Sequence, residues 1–168
     1  MGAETTPDRW PGDFLLHPVA LGAIVTLIVN DWVIKARWPG PIAGKLSDIA
    51  GMVFFPLLLV ALAELVARVA GRRWLAPPLS FLVVAVTVAV VFAATKTVEP
   101  VRSLDEQALG WLRWGPFAAV RLVTGGSAGS PVRHPVAADA TDVLCAPFAL
   151  VAVWIGARYR KPPRARDS

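Results

Sequence analysis

Polar and charged side chains stand near one end of each long apolar run in this sequence. Asn30 and Asp31 lie at the end of the first run, and Asp142 lies at the start of the last. Ionisable groups next to hydrocarbon are costly, so they usually pair with each other, face the interior of a helix bundle or line a wet cavity. The candidate residues are Asn30, Asp31, Lys35, Lys45, Ser47, Asp48, Lys96, Glu99, Asp139 and Asp142. They could form a site that binds or transforms a ligand, or a structural corner of paired and capped helix ends.

Several of these residues have a simple role in starting a helix. Ser47 is of a residue type favoured at the N-cap, and Asp48 would then lie in the first turn, where the helix dipole favours an anion. Asp139 or Thr141 could cap the last apolar run in the same way, with Asp142 in its first turn. The pattern therefore predicts two capped helix starts.

Asp31 is not explained by capping. It lies at the predicted C-terminal end of a helix, where the dipole disfavours an anion, so a partner cation is expected. Lys35 is four residues away and is the nearest candidate. We expect the lysines of this set to pair with its aspartates, or to extend towards the membrane surface. The pairings considered join Lys35, Lys45 or Lys96 to Asp31, Asp48 or Asp142.

At the opposite end of the second apolar run, Glu64 and Arg68 are four residues apart in the order that favours a helical ion pair. The spacing predicts that they satisfy each other, with a proton-relay role for Glu64 as the alternative. The single cysteine, Cys145, is predicted to be a small buried apolar residue.

Catalytic patterns are weak in this chain. Residues 125–129 match G-x-S-x-G around Ser127, but that motif needs a strand before the serine and a helix after it, and neither is predicted. His134 with Asp139 and Asp142 would be a permissible metal-ligand set, at a spacing that is generic. Phosphate-loop, dinucleotide and zinc-protease motifs are missing from the sequence. We therefore assign no catalytic residue, metal or cofactor.

The composition indicates a membrane protein. The chain has 168 residues, of which 55% are hydrophobic and 17% charged, so it is more apolar than an ordinary soluble domain. Four runs reach the roughly 20 apolar residues that cross a bilayer. The predicted fold is all-α, an integral membrane bundle of four transmembrane helices within residues 14–159, with spans at about 14–34, 49–69, 77–96 and 141–159.

The segment between the third and fourth spans is not plainly soluble. Residues 104–123 carry Trp111, Trp114 and several other apolar residues among arginines and glycines. This mixture predicts short interfacial helices with the apolar face in the membrane, or a re-entrant hairpin. Gly115 and Pro116 are predicted to break the segment near its middle.

The charge distribution predicts the orientation. The net charge of +5 is placed beside the apolar runs and in the C-terminal tail, a pattern of membrane topology and not of nucleic-acid binding. Lys and Arg are denser on the side that carries both termini, so we expect residues 1–13 and the basic tail, 160–168, to be cytoplasmic. The predicted location is the bacterial inner membrane.

Three motifs carry a resemblance. The pattern N-D-x3-K from Asn30, G-K-L-S-D-x-A-G over residues 44–51 with F-F-P after it, and A-D-A-T-D-V-L over residues 138–144 resemble a group of bacterial multi-span membrane proteins of uncharacterised function. A looser likeness is to VanZ-like membrane proteins. The resemblance covers spans one, two and four and implies a membrane location without naming an activity.

Three functional hypotheses follow. The first is a non-enzymatic envelope or accessory component whose polar cluster holds the helices together. The second is a membrane-embedded enzyme or lipid-handling protein that uses outer-face carboxylates. The third is a small transporter or channel subunit, although four spans without an internal repeat argue against an autonomous carrier. The expected partners are the lipid bilayer and either a second copy of the chain or another membrane protein.

Overall fold

The computed structural model describes residues 9–38 and 40–160, which contain helices, connecting loops and no strand. A short 3-10 turn, Asp13–Leu16, precedes α1, Pro18–Val29, which continues through a π-helical turn, Asn30–Ile34, and a last turn, Lys35–Arg37. The next helices are α2, Pro41–Val69, and α3, Pro78–Thr97. They are followed by α4, Glu99–Val123, a 3-10 segment, Ala140–Ala149, and α5, Leu150–Tyr159.

Four stretches of this chain are long and apolar enough to span a membrane. They are Pro18–Arg37, Pro41–Val69, Pro78–Thr97 and Ala140–Tyr159. The predicted all-α class and the count of four apolar helices are therefore confirmed. The predicted N-terminal segment and basic tail fall largely on residues 1–8 and 161–168, which lie outside the described residues.

Prolines and glycines set several helix ends. Pro18 and Pro41 occupy the first position of α1 and α2, where a missing N–H costs nothing. Gly71, with a φ of 76°, ends α2, and the N–H of Arg72 then donates to the carbonyl of Ala67 at 2.8 Å. This is a Schellman closure, which needs a left-handed residue at the position of Gly71.

Two predicted boundaries are wrong. The helix that follows the first span begins at Pro41, so Ser47 and Asp48 lie inside α2 and not at its N-cap and first turn. Pro41 outcompetes Ser47 as a helix start because its fixed φ is already helical. Gly115 and Pro116 do not break α4, which is continuous from Glu99 to Val123. An internal proline removes one backbone hydrogen bond, and the helix accommodates that loss here.

The described chain forms two compact units. The first comprises the residues up to Val90 and from Leu144, and the second comprises Val91–Val143. In the first unit the fully buried large side chains include Phe14, Leu57, Phe81 and Ile155. Gly156 allows α3 and α5 to pack closely, because a Cβ at this position would lie 2.3 Å from the ring of Phe81. Small side chains complete this core: Ala20, Ala61, Ala76 and Ala152.

The second unit is built around α4. The segment that follows the helix returns along one face of it, and the N–H of His134 donates to the carbonyl of Glu106 at 3.1 Å. The apolar side chains on another face remain exposed, among them Leu104, Trp111, Leu112 and Leu122. The helix is therefore amphipathic, with a peptide segment on one face and an open apolar stripe on another.

Candidate functional site

The predicted polar residues of α1 and α2 meet around Asn30, whose side chain is 0% exposed. Its amide nitrogen donates to the carbonyl of Ala43 at 2.7 Å and to the hydroxyl of Ser47 at 2.6 Å. Ser47 donates in turn to the carboxylate of Asp31 at 3.1 Å, and Lys35 pairs with the same oxygen at 2.6 Å. We call these five residues the Asn30 cluster. It confirms the predicted pairing of Asp31 with Lys35.

The backbone at the Asn30 cluster departs from regular α-helix. The N–H of Lys35 donates to the carbonyl of Asn30, five residues back, which defines a π-helical turn. Such turns are uncommon and often occur at functional sites. The carbonyl oxygen of the Asn30 side chain is buried and has no hydrogen-bond partner among the described residues. The orientation of this side-chain amide is set by the two oxygens that its nitrogen contacts, the carbonyl of Ala43 and the hydroxyl of Ser47.

The chemistry of the Asn30 cluster is that of a structural junction. The hydroxyl of Ser47 accepts from an amide and donates to a carboxylate that already has a lysine partner. A serine nucleophile would instead need a base free to take its proton. The side chains of Lys35 and Asp31 are about half exposed, so their ion pair adds little by itself. The hydrogen-bond relay to buried Asn30 is the part that joins α1 to α2.

A second predicted pair lies in the second unit. The ammonium of Lys96 is 2.7 Å from the carboxylate of Asp142, and both side chains are only 9% exposed. The pair joins the end of α3 to the first turn of the 3-10 segment. Asp139 caps that segment, since its carboxylate accepts from the N–H and the hydroxyl of Thr141 at 2.9 and 2.7 Å. The predicted capping role of Asp139 and the pairing of Lys96 with Asp142 are confirmed.

The other predicted candidates have these positions. Glu99 lies in the first turn of α4 and forms an ion pair with Arg102 of the same helix. Lys45 and Asp48 lie on α2, and the backbone carbonyl of Lys45 faces the thiol of buried Cys145 at 4.0 Å. The burial predicted for Cys145 is confirmed. The structure thus brings Asn30, Asp31, Lys35 and Ser47 together in the first unit and pairs Lys96 with Asp142 in the second.

Sequence reasoning missed the most buried ionic group of the first unit. Glu64 is 0% exposed, and its carboxylate accepts from the N–H of Gly12 and the N–H of Ala76, each at 2.8 Å. Arg160 donates to the same carboxylate at 2.8 Å and to Asp13 at 3.0 Å. We call these residues the Glu64 cluster.

The predicted pairing of Glu64 with Arg68 is wrong. The guanidinium of Arg68 instead lies 5.1 Å from the centre of the Trp10 ring. Glu64 faces the bundle interior, where the fold supplies Arg160, a cation from the predicted tail segment. The one signal in the sequence was an acidic residue within an apolar span, since such a residue normally has a buried partner.

The metal and hydrolase patterns find no support in the described residues. No group of three His, Cys, Asp or Glu side chains that could hold a metal ion occurs within residues 9–38 and 40–160. The ring of His134 faces the guanidinium of Arg113, with the Nδ1 to Nη1 distance at 2.9 Å. Asp105 lies on α4, outside these patterns. Its pKa is raised above the ordinary value, because burial and the neighbouring Glu106 raise it more than Lys96 lowers it.

No family model, curated protein or solved structure matches this chain.

Proposed function

We propose that this protein is a four-span integral protein of a bacterial inner membrane and acts there as a non-enzymatic accessory component. Its polar residues hold helix ends together. The observation that carries the proposal is that its buried carboxylates are neutralised from within the protein. Glu64 is paired with Arg160, and Asp142 is paired with Lys96.

Paired carboxylates favour a structural role for a physical reason. A carboxylate that transfers protons or couples transport must exchange its partner during the reaction. A buried ion pair that also accepts backbone hydrogen bonds, as Glu64 does, resists that exchange because each broken contact leaves a desolvated charge. The alternatives are a lipid-handling protein or enzyme that uses these carboxylates and a small transporter subunit, and both require a carboxylate that can change its partner.

Both termini are proposed to face the cytoplasm. Gly12, Ala76 and Arg160 all contact Glu64, so the beginning of the first span, the connection after α2 and the end of α5 lie at the same end of the first unit. Basic residues are dense at these three places in the sequence, which the positive-inside rule assigns to the cytoplasmic side. Reporter fusions after Arg73 and after Ser168 should both report the cytoplasm.

The amphipathic helix α4 is proposed to lie in the membrane interface. Its exposed stripe contains Leu104, Trp111, Leu112 and Leu122, and a helix with one apolar face and one polar face has the properties of an interfacial segment. A cysteine-reactive environment-sensitive dye at Leu112→Cys should report an apolar surrounding in lipid vesicles. The same dye at Ser127→Cys, in the exposed loop after α4, should report water.

A charge exchange at Lys96 and Asp142 tests the structural role. Lys96→Asp and Asp142→Lys should each lower the amount of folded protein in the membrane, because each leaves like charges buried together. The double exchange restores an opposite pair and should recover most of the folded protein and complement a deletion strain. A double variant that is folded but fails to complement would support an enzyme or transporter in place of our proposal.

A further inference from the structure

A groove of about 430 Å³ lies in the second unit, between α4 and the segment after it. The indole N–H of Trp114 donates to the carbonyl of Ala128 at 2.9 Å, which fixes one wall. The other wall depends on Gly110, because a Cβ there would lie 2.5 Å from the carbonyl oxygen of Val132. The groove is therefore a packed feature of the fold, formed where a glycine permits the chain to return against the helix.

The groove is strongly basic. Arg113, Arg121, Arg133 and His134 line it, and none of the described lining residues is acidic. The guanidinium of Arg121 makes no hydrogen bond or ion pair with any residue that the structure describes. Three guanidinium groups around one cavity repel each other unless an anion lies between them. Guanidinium groups also match phosphate oxygens in pairs of parallel hydrogen bonds.

His134 adds a further donor. Arginine remains protonated in proteins, so the contact of Arg113 with Nδ1 of His134 requires that this ring nitrogen accepts. The proton of the neutral ring is then on Nε2. Arg133 uses one donor on the hydroxyl of Ser103 at 3.4 Å and keeps its others. The groove thus offers several N–H donors and no carboxylate.

An apolar cleft adjoins the basic groove. The cleft has a volume of about 180 Å³ and is lined by Pro116, Phe117 and Val120. Phe117 lines both cavities, so a ligand could place a charged group among the arginines and an apolar chain beside Phe117. Ligand sites commonly combine apolar walls with a few placed polar groups. This combination favours an amphiphilic anion over a small hydrated ion.

We propose that the groove binds a phosphate group, and that the phosphate belongs to an anionic phospholipid whose apolar chain lies against the Pro116–Phe117–Val120 cleft. The arginines favour a phosphate-bearing anion from any source, because their donors match phosphate oxygens. The choice of a lipid as the source rests on the proposed membrane location and on the adjoining cleft.

The test measures lipid binding to the purified full chain in a neutral detergent by native mass spectrometry. Phosphatidylglycerol should bind with a saturable Kd, and phosphatidylcholine of the same chains should bind more weakly. The variant Arg113→Gln, Arg121→Gln, Arg133→Gln should weaken phosphatidylglycerol binding about tenfold or more, because each charge-assisted hydrogen bond contributes on that order. A matched control removes the same charge outside the groove: Arg37→Gln, Arg72→Gln, Arg73→Gln. It should change the Kd by less than about twofold, since long-range charge effects are screened.

Two further arms separate the sources of phosphate. Phe117→Ala should weaken phosphatidylglycerol binding without changing the protection that inorganic phosphate gives against thermal unfolding. In one outcome, excess inorganic phosphate or glycerol phosphate displaces phosphatidylglycerol, and Phe117→Ala does not weaken lipid binding. That outcome would identify a free phosphate as the ligand and overturn the lipid assignment. The proposal as a whole is overturned if the groove variant and the control bind phosphatidylglycerol equally well. It is also overturned if the unsubstituted chain binds neither phosphatidylglycerol nor inorganic phosphate. The membrane location is tested independently by washing membranes at alkaline pH. An integral protein stays in the membrane fraction, and release into the supernatant would contradict the proposed location.

Discussion

Replacing Arg160 by Met would leave the carboxylate of Glu64 buried without a charged partner. The two remaining donors, the N–H groups of Gly12 and Ala76, each lie 2.8 Å from the carboxylate. Breaking a buried ion pair by removing one member typically costs about 3–5 kcal/mol, because the other charge stays desolvated. We expect the free energy of unfolding to fall by that amount, since Glu64 is fully buried and Arg160 is nearly so. Met fills a similar volume, so the loss reports charge more than packing.

A double-mutant cycle isolates the pair. Glu64→Leu leaves the N–H groups of Gly12 and Ala76 unpaired and should cost about 2–5 kcal/mol. Adding Arg160→Met to Glu64→Leu should cost little more, because no buried charge remains without a partner. The magnitude of the coupling energy should therefore approach the cost of Arg160→Met alone, about 3–5 kcal/mol. Equilibrium unfolding of the full chain in mixed detergent micelles, followed by circular dichroism, gives all four free energies.

Arg158→Met is the matched control. Arg158 lies in the last turn of α5, two residues before Arg160, is exposed, and contacts the Trp154 ring at 4.0 Å, so its loss should cost about 0.5–1 kcal/mol. A buried Glu64–Arg160 ion pair is excluded if Arg160→Met costs no more than Arg158→Met, or if the effects of the Glu64 and Arg160 changes are additive.

Three further predictions concern packing, titration and the polar relay. Gly156→Ala should lower stability by about 1–3 kcal/mol, because its Cβ would overlap the Phe81 ring, whereas Gly22→Ala, with nothing within 4 Å, should raise stability slightly. Equal effects in thermal unfolding would contradict the close packing of α3 on α5. Because burial raises the pKa of Asp105, the folded state favours its protonated form, and its contribution to stability declines as the pH rises above the ordinary value of 3.8. Asp105→Asn should therefore raise the Tm at neutral pH, with a gain that shrinks as the pH falls towards 3.8, and a gain independent of pH would show another cause. Asn30→Leu should cost about 2–3 kcal/mol by leaving a buried carbonyl and a hydroxyl without their donor, and a neutral result in the unfolding assay would argue against the relay.

The four apolar helices were predictable because hydropathy is a property of consecutive residues. Their ends were less predictable. Ser47 and Pro41 both favour a helix start. The helix begins at Pro41, so Ser47 lies inside it, where its hydroxyl accepts a hydrogen bond from Asn30. The continuity of α4 through Pro116 was also not predictable, because an internal proline removes a backbone hydrogen bond and commonly kinks or breaks a helix.

The polar contacts were also only partly predictable from the sequence. The pair of Asp31 with Lys35 was predictable, because residues four apart lie on one face of a helix. Glu64 offered an equally good local partner in Arg68, and the fold chose Arg160 because the carboxylate faces inward. No local rule could distinguish these cases without knowing which face of the helix is buried.

The amino-acid order is enough to specify a helical chain with four apolar stretches and polar residues at their ends. These properties follow from composition and from periodicity over neighbouring residues. Which charges meet depends instead on how the helices pack. The tertiary structure joined Glu64 to Arg160, and it brought Arg113, Arg121 and Arg133 around one groove because Gly110 lets the chain return against α4. Such contacts depend on which surfaces pack together, and residues far apart in the chain carry no local signal of that packing.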